Sequence, residues 1–140
     1  MSEKKYPEKF YIIVGEDLRH EGNGQFSLMG INPAGMSAVV FENENMIPSI
    51  AVYCVLFDPS GSFEGRITIY DENEEAVVDA VVPVSSEVEE KTSKLLIAGK
   101  FMNVKFKKPG RFKVTIWLDD KPYSESFKIH LPNQGSIDEA

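Results

Sequence analysis

The sequence predicts an all-β domain, a two-sheet antiparallel sandwich of about eight or nine short strands. Three observations predict it. Runs of β-branched and aromatic residues recur at strand length, helical periodicity is scarce, and turns rich in Gly, Pro and Asp separate one run from the next.

The first strand is expected over residues 10–14, where Phe, Tyr, Ile, Ile and Val follow one another. Gly22, Asn23 and Gly24 close a predicted turn over 19–24, because Asn and Gly tolerate the positive φ of tight hairpins. A strand over 25–31, ended by Asn32, Pro33, Ala34 and Gly35, would complete an opening hairpin. A long strand at 50–57 stops at Asp58, Pro59, Ser60 and Gly61, with Pro second and Gly fourth as a type I turn prefers. Residues 63–70 follow, with Ile67 and Ile69 on one face. The acidic tip 71–75 and a returning strand over 76–84 then predict a three-stranded meander.

Residues 85–93 are polar and acidic, which predicts a surface loop with room for a helical turn. Strand-like segments at 94–97 and 101–106 flank Gly99, placed as a bulge. After the turn Lys108, Pro109 and Gly110, residues 111–118 alternate most cleanly. Phe112, Val114, Ile116 and Leu118 point one way; Arg111, Lys113, Thr115 and Trp117 point the other. Asp119, Asp120, Lys121 and Pro122 turn the chain into a last strand over 123–131, through Phe127 and Ile129. One domain over 10–131 is expected, between a flexible lead-in at 1–9 and a frayed tail at 132–140.

Composition fits this frame. A chain of 140 residues, 42% hydrophobic and 26% charged, is long enough to bury a sizeable core. The net charge of −7 argues against general nucleic-acid or anionic-membrane binding, which need basic surface. A single cysteine, Cys54, excludes an intrachain disulfide, and the polar residues 1–9 lack the apolar core of a signal peptide. No apolar stretch approaches the roughly 18 residues of a membrane-spanning helix. A cytoplasmic location is expected.

Two segments carry a resemblance. Glu16, Asp17, Leu18, Arg19, His20 and Glu21 precede Gly24 and then Ser27, Leu28, Met29 and Gly30. This order resembles the opening signature of a family of bacterial and phage proteins defined only as a domain of unknown function. The likeness spans residues 10 to 131. Phe106, Pro109, Gly110, Arg111 and Phe112, leading into the alternating strand and Asp119-Asp120, resemble a segment of immunoglobulin-like sandwiches. The resemblance implies an immunoglobulin-like β-sandwich of prokaryotic or phage origin, and no activity, ligand or catalytic residue.

Chemistry is sparse. Asp17, His20 and Glu21 offer carboxylate and imidazole donors for a divalent metal, but their spacing fits no metal signature, and a hairpin end with Arg19 paired to an acid explains them. Neither a metal nor a cofactor is expected. His130 lies between Ile129 and Leu131 with no nucleophile suggested nearby, and so reads as a surface histidine. Cys54 is set among apolar neighbours, without the electropositive surroundings of a reactive thiol. Counted as a calcium loop from Asp71, the sixth and twelfth positions are Ala76 and Val82 where Gly and Glu are needed. Glycine phosphate loops and the Gly-x-Ser-x-Gly elbow are absent, so no catalytic residue is assigned.

Two surfaces stand out. In the 50–57 strand Ile50, Val52, Cys54 and Leu56 face one side and Ala51, Tyr53, Val55 and Phe57 the other, so it needs a second cover. The connection 32–47, with Met36, Val39, Val40, Phe41 and Met46 to bury, is the preferred cover, and a partner protein the other. Trp117, with Arg111, Lys113 and Thr115, forms an outward stripe that mixes aromatic and basic groups, as binding hot spots do. Charge is segregated: residues 100–113 hold six of fifteen cations and no acid, while 64–90 hold nine of twenty-two acids against Arg66. Together these predict a non-catalytic protein-binding or assembly module, engaging a protein partner or another copy of itself through Trp117, Arg111, Lys113, Thr115, Tyr53 and Phe57. The alternative is a small-ligand or carbohydrate-binding domain with Trp117, Tyr53 or Tyr70 as stacking platforms. An enzyme ranks third.

Overall fold

The computed structural model describes residues 4–22, 25–82, 84 and 94–131. Among them the chain is all-β, with strands β1 (Phe10–Gly15), β2 (Asp17–His20), β3 (Phe26–Met29), β4 (Met36–Ser37), β5 (Val39–Phe41), β6 (Glu44–Phe57), β7 (Gly65–Tyr70), β8 (Ala76–Val82), β9 (Lys94–Phe106), β10 (Gly110–Leu118) and β11 (Lys121–His130). Of the turn expected over 19–24, Arg19 and His20 belong to β2 and residues 23–24 lie outside the described residues, as do residues 1–3 of the lead-in, the loop at 85–93 and the tail at 132–140.

The alternation of β10 decides the largest sheet. Its inward residues Phe112, Val114, Ile116 and Leu118 are buried, and it pairs with β11 on one side and β7 on the other. The full order is β4-β11-β10-β7-β8, antiparallel except for β4 beside β11. A second sheet is organised by β6, which pairs with β9 along one side and with β5 and then β1 along the other. The hairpin β2–β3 makes a third, two-stranded sheet. Ile50, Val52, Cys54 and Leu56 of β6, with Leu95 and Ile97 of β9, join Ile67, Ile69 and the inward residues of β10 in one hydrophobic cluster. Each such side chain contributes on the order of 1.5–3 kcal/mol by leaving water.

Several pairings differ from the sequence expectation. The opening hairpin is β2–β3, whereas β1 pairs with β6, from Phe10↔Leu56 to Gly15↔Ala51. The three-stranded meander is not formed. β7 and β8 pair, but β6 belongs to the other sheet, because the connection after Phe57 crosses between sheets, with Asp58 (φ 57°) and Gly61 (φ 110°) in left-handed backbone. The segments at 94–97 and 101–106 form one strand. Gly99 sits there in regular register opposite Val52, and a Cβ would stand 3.1 Å from Ile67 Cδ1 and 3.1 Å from Phe101 Cζ.

The irregularity of β9 falls instead at Asn103, whose φ is 54°. The β6–β9 register passes from Ile47↔Val104 to Ser49↔Met102, so Pro48 and Asn103 face each other between those pairs. Both strands exchange faces there. Ile47 and then Ile50 are buried on β6, and Val104 and then Ile97 and Leu95 on β9. Proline has no N–H to give the ladder, and a left-handed asparagine bends its strand to match.

Residues 4–9, expected as part of a flexible lead-in, are tied down. Lys5 bridges Ser60, the Phe57 N–H donates to Lys9 O at 2.9 Å, and the Tyr123 hydroxyl donates to Pro7 O at 2.8 Å. Tyr6 stacks at a tilt against Phe63, with centroids 5.3 Å apart.

Candidate functional site

The six residues expected at an interface are divided between two strands, β6 and β10. Tyr53 and Phe57 point outward from β6, and Trp117, Thr115, Lys113 and Arg111 point outward from β10 in the other sheet. The two groups therefore belong to different sheets.

The cover of the β6 outer face is the β2–β3 hairpin, which corrects the expectation that residues 32–47 supply it. Phe26 meets Tyr53 edge-on at 6.4 Å, and a Cβ on Gly15 would stand 3.1 Å from Leu28 Cδ1. Ser49 Oγ donates to Glu16 O at 2.6 Å, and Lys100 Nζ lies 2.6 Å from Asp17 Oδ1. Further along, Tyr11 packs on Phe57 at 6.0 Å and Lys94 caps the Phe57 ring at 5.5 Å. Periodicity does not show this, because β2 is only four residues long and overlaps the expected turn at 19–24, and the pattern pairs the strand expected over 25–31 with residues 10–14 instead.

Residues 32–47 are strands β4 and β5 and the start of β6, and they divide their apolar side chains. Met36 and Ala38 enter the core, while Val39, Val40 and Phe41 are 37%, 54% and 57% exposed. β5 is an end strand of its sheet, turned back on β6 through Glu42 (φ 51°) and Asn43 (φ 65°). Val39 and Phe41 pair with Met46 and Glu44, and Met102, 59% exposed, lies just past the Pro48–Asn103 exchange. The signal available in sequence was the run Val39, Val40, Phe41 directly before Glu42 and Asn43, a hairpin tip that leaves no length to fold the run inward.

The Trp117 stripe is more buried than expected at its middle. Cross-strand neighbours set three rows over the outer face: Ser126, Lys113 and Tyr70; then Ser124, Thr115 and Thr68; then Pro122, Trp117 and Arg66. Thr115 and Thr68 are 2% and 0% exposed. Trp117 Nε1 donates to Thr68 Oγ1 at 2.9 Å, and the Thr115 and Ser124 hydroxyls are 2.9 Å apart. Lys113 Nζ lies 5.8 Å from the Tyr70 ring centroid, and Arg111 is exposed, its backbone N–H donating to Glu72 Oε1 at 2.8 Å. Between the outer rows lies a groove of about 460 Å³ lined by Tyr70, Glu74, Lys113, Thr115, Trp117, Pro122 and Ser124.

A larger cleft of about 650 Å³ opens between β1 and β11 beside residues 31–35. Glu125, exposed, lines it opposite Val114 on the part of β11 that β4 does not flank.

The remaining candidates are engaged locally. Asp17 holds Lys100 and lies 3.9 Å from Arg19, Glu21 accepts from Ser27 Oγ at 2.7 Å, and His20 meets Phe26 edge-on at 4.9 Å. His130 is exposed, its Nε2 3.5 Å from Ser37 Oγ. Cys54 is buried, and desolvation pushes its thiol up to about 12. Asp71 Oδ1 accepts from the N–H groups of Asn73 and Glu75 and so shapes the acidic tip. The basic segment does not act as one patch, because Lys100, Lys105 and Lys107 reach Asp17, Glu44 and Glu75. Among the described residues no helix is long and apolar enough to cross a membrane. No protein-family model matches the chain, and no curated protein matches it.

Proposed function

We propose that this chain is a non-catalytic protein-binding or assembly module on an immunoglobulin-like two-sheet sandwich, working in the reducing cytoplasm, and that β5 is its docking strand. One observation carries this reading: an end strand whose three residues, Val39, Val40 and Phe41, are all exposed and apolar. An edge strand presents main-chain donors and acceptors that an extended segment of another protein can pair with, while alternate side chains give selectivity. Val39 and Phe41 would meet apolar residues of that segment, next to Met46. The Lys105–Glu44 pair at 3.3 Å supplies a polar rim.

The test is capture from a lysate of the source cells by the wild-type protein and by Val40→Pro and Phe41→Lys, with sedimentation velocity on each. Proline removes the edge N–H and lysine charges the apolar face. The expected result is a strand-bearing partner, or self-association, weakened about tenfold or more by either variant. A wild-type protein that stays monomeric and recovers nothing that the variants do not would sink the proposal.

A further inference from the structure

We infer that the groove crossing the outer face of the β11-β10-β7 strands binds a neutral saccharide, with Trp117 as its stacking wall. This site is separate from the β5 edge and does not depend on it.

The three rows make the groove. Small hydroxyl residues, Ser124, Thr115 and Thr68, run across the strands between a row bearing Lys113 and Tyr70 and a row bearing Trp117 and Pro122. The walls are four residues apart along β10, roughly 13 Å at the backbone, which admits one six-membered ring with its hydroxyl groups. The volume of about 460 Å³ falls within the range of small-ligand sites.

The chemistry selects the ligand. The indole of Trp117 is fixed by its bond to Thr68, so its apolar surface is already oriented when a ligand arrives. A sugar ring offers C–H groups to such a surface and hydroxyls at its edge. Thr115 is 2% exposed, so the hydroxyl a ligand meets is that of half-buried Ser124, which is 2.9 Å from the Thr115 hydroxyl and keeps a lone pair to accept from the ligand. Glu74 at the groove end accepts from a vicinal diol, and Lys113 donates.

A peptide fits the site less well. On the flat of a sheet the main-chain groups of β7, β10 and β11 are used within the ladders, so an extended chain finds no backbone partners there. The ligand must bring its polar groups on a compact ring. A charged sugar is disfavoured as well, since Lys113 and Glu74 line the same groove with opposite charges.

Trp117 is the single tryptophan, so its indole N–H gives one resonance in a two-dimensional ¹H–¹⁵N spectrum. The probes are maltotetraose, cellotetraose and chitotetraose, each titrated to about 10 mM, with a hexaproline peptide as the competing occupant. The expected result is a saturable shift of the Trp117 indole resonance with at least one sugar. Ser124→Ala should weaken it several-fold; in Trp117→Phe, which has no indole, binding is followed by the backbone amide resonances of Thr115 and Ser124 and should weaken about tenfold or more. Ser124 is half-buried at the sheet surface, so its variant keeps the test independent of any folding defect at Trp117. Absence of a saturable shift with all three sugars overturns the inference. A shift with hexaproline alone overturns it too, as does sugar binding unchanged in both variants.

Discussion

The Tyr6 hydroxyl donates to Oδ2 of Asp119 at 2.7 Å, joining residues 113 positions apart. Lys4 Nζ reaches the same oxygen at 2.8 Å, and Oδ1 accepts from the Glu64 N–H at 2.9 Å. One carboxylate at the β10–β11 turn thus ties down the N-terminal segment and the chain entering β7. The bonds from Lys4, Tyr6 and Glu64 hold the Asp119 carboxyl at about 2. Because the folded form binds its proton less readily than an ordinary aspartate at 3.8, this contribution is present above that value and is lost as pH falls from 3.8 towards 2. Asp119→Asn keeps a side chain that tolerates the φ of 55°. It should cost about 1 kcal/mol at neutral pH, since the ion pair is partly screened by solvent. Urea denaturation across pH should show the gap closing towards pH 2; a gap independent of pH counts against this account.

The facing of Pro48 and Asn103 predicts an asymmetric response to substitution. Asn103→Gly relieves the left-handed backbone and should leave stability nearly unchanged. Asn103→Val sets a β-branched residue at a φ of 54° and should cost about 1–2 kcal/mol. Thermal unfolding of both variants checks the pair. Equal losses would mean that the asparagine side chain, not the backbone, matters here.

Gly15 links β1 to the hairpin that covers Tyr53. A Cβ there would lie 2.8 Å from Met29 O and 3.1 Å from Leu28 Cδ1, so Gly15→Val should lift β2–β3 from β6. A cost of about 1–3 kcal/mol is expected from overpacking. Amide hydrogen exchange should quicken in residues 17–20 and 26–29 and not in β10. Uniform acceleration would show instead that the hairpin is part of the global unfolding unit.

Cys54 should behave as a core side chain. With its thiol pushed up to about 12 by burial, it stays protonated from pH 7 to 9. Ellman's reagent should react with native protein only as fast as the protein opens, and Cys54→Ala should cost about 1–2 kcal/mol through lost packing. Reaction as fast as in urea would require an open path that the structure does not contain.

How far sequence reaches is visible in particular elements. Period-two alternation is local, so it alone marked Phe112, Val114, Ile116 and Leu118 as inward, joined Ile67 to Ile69, and placed the β10–β11 hairpin. The same pattern on β6 correctly required a second cover. What covers it was beyond local reasoning, because choosing β2–β3 over residues 32–47 depends on which strands share a sheet. Pairing partners are set by contacts between distant segments. Thus β1 took β6 as its partner, the chain after Phe57 crossed to the other sheet, and Val39, Val40 and Phe41 were left outside. The Trp117 stripe shows both halves. Its outward side follows from alternation, but its partners exist only because β7 and β11 bring Thr68, which accepts from the Trp117 indole, and Ser124 to either side of Thr115.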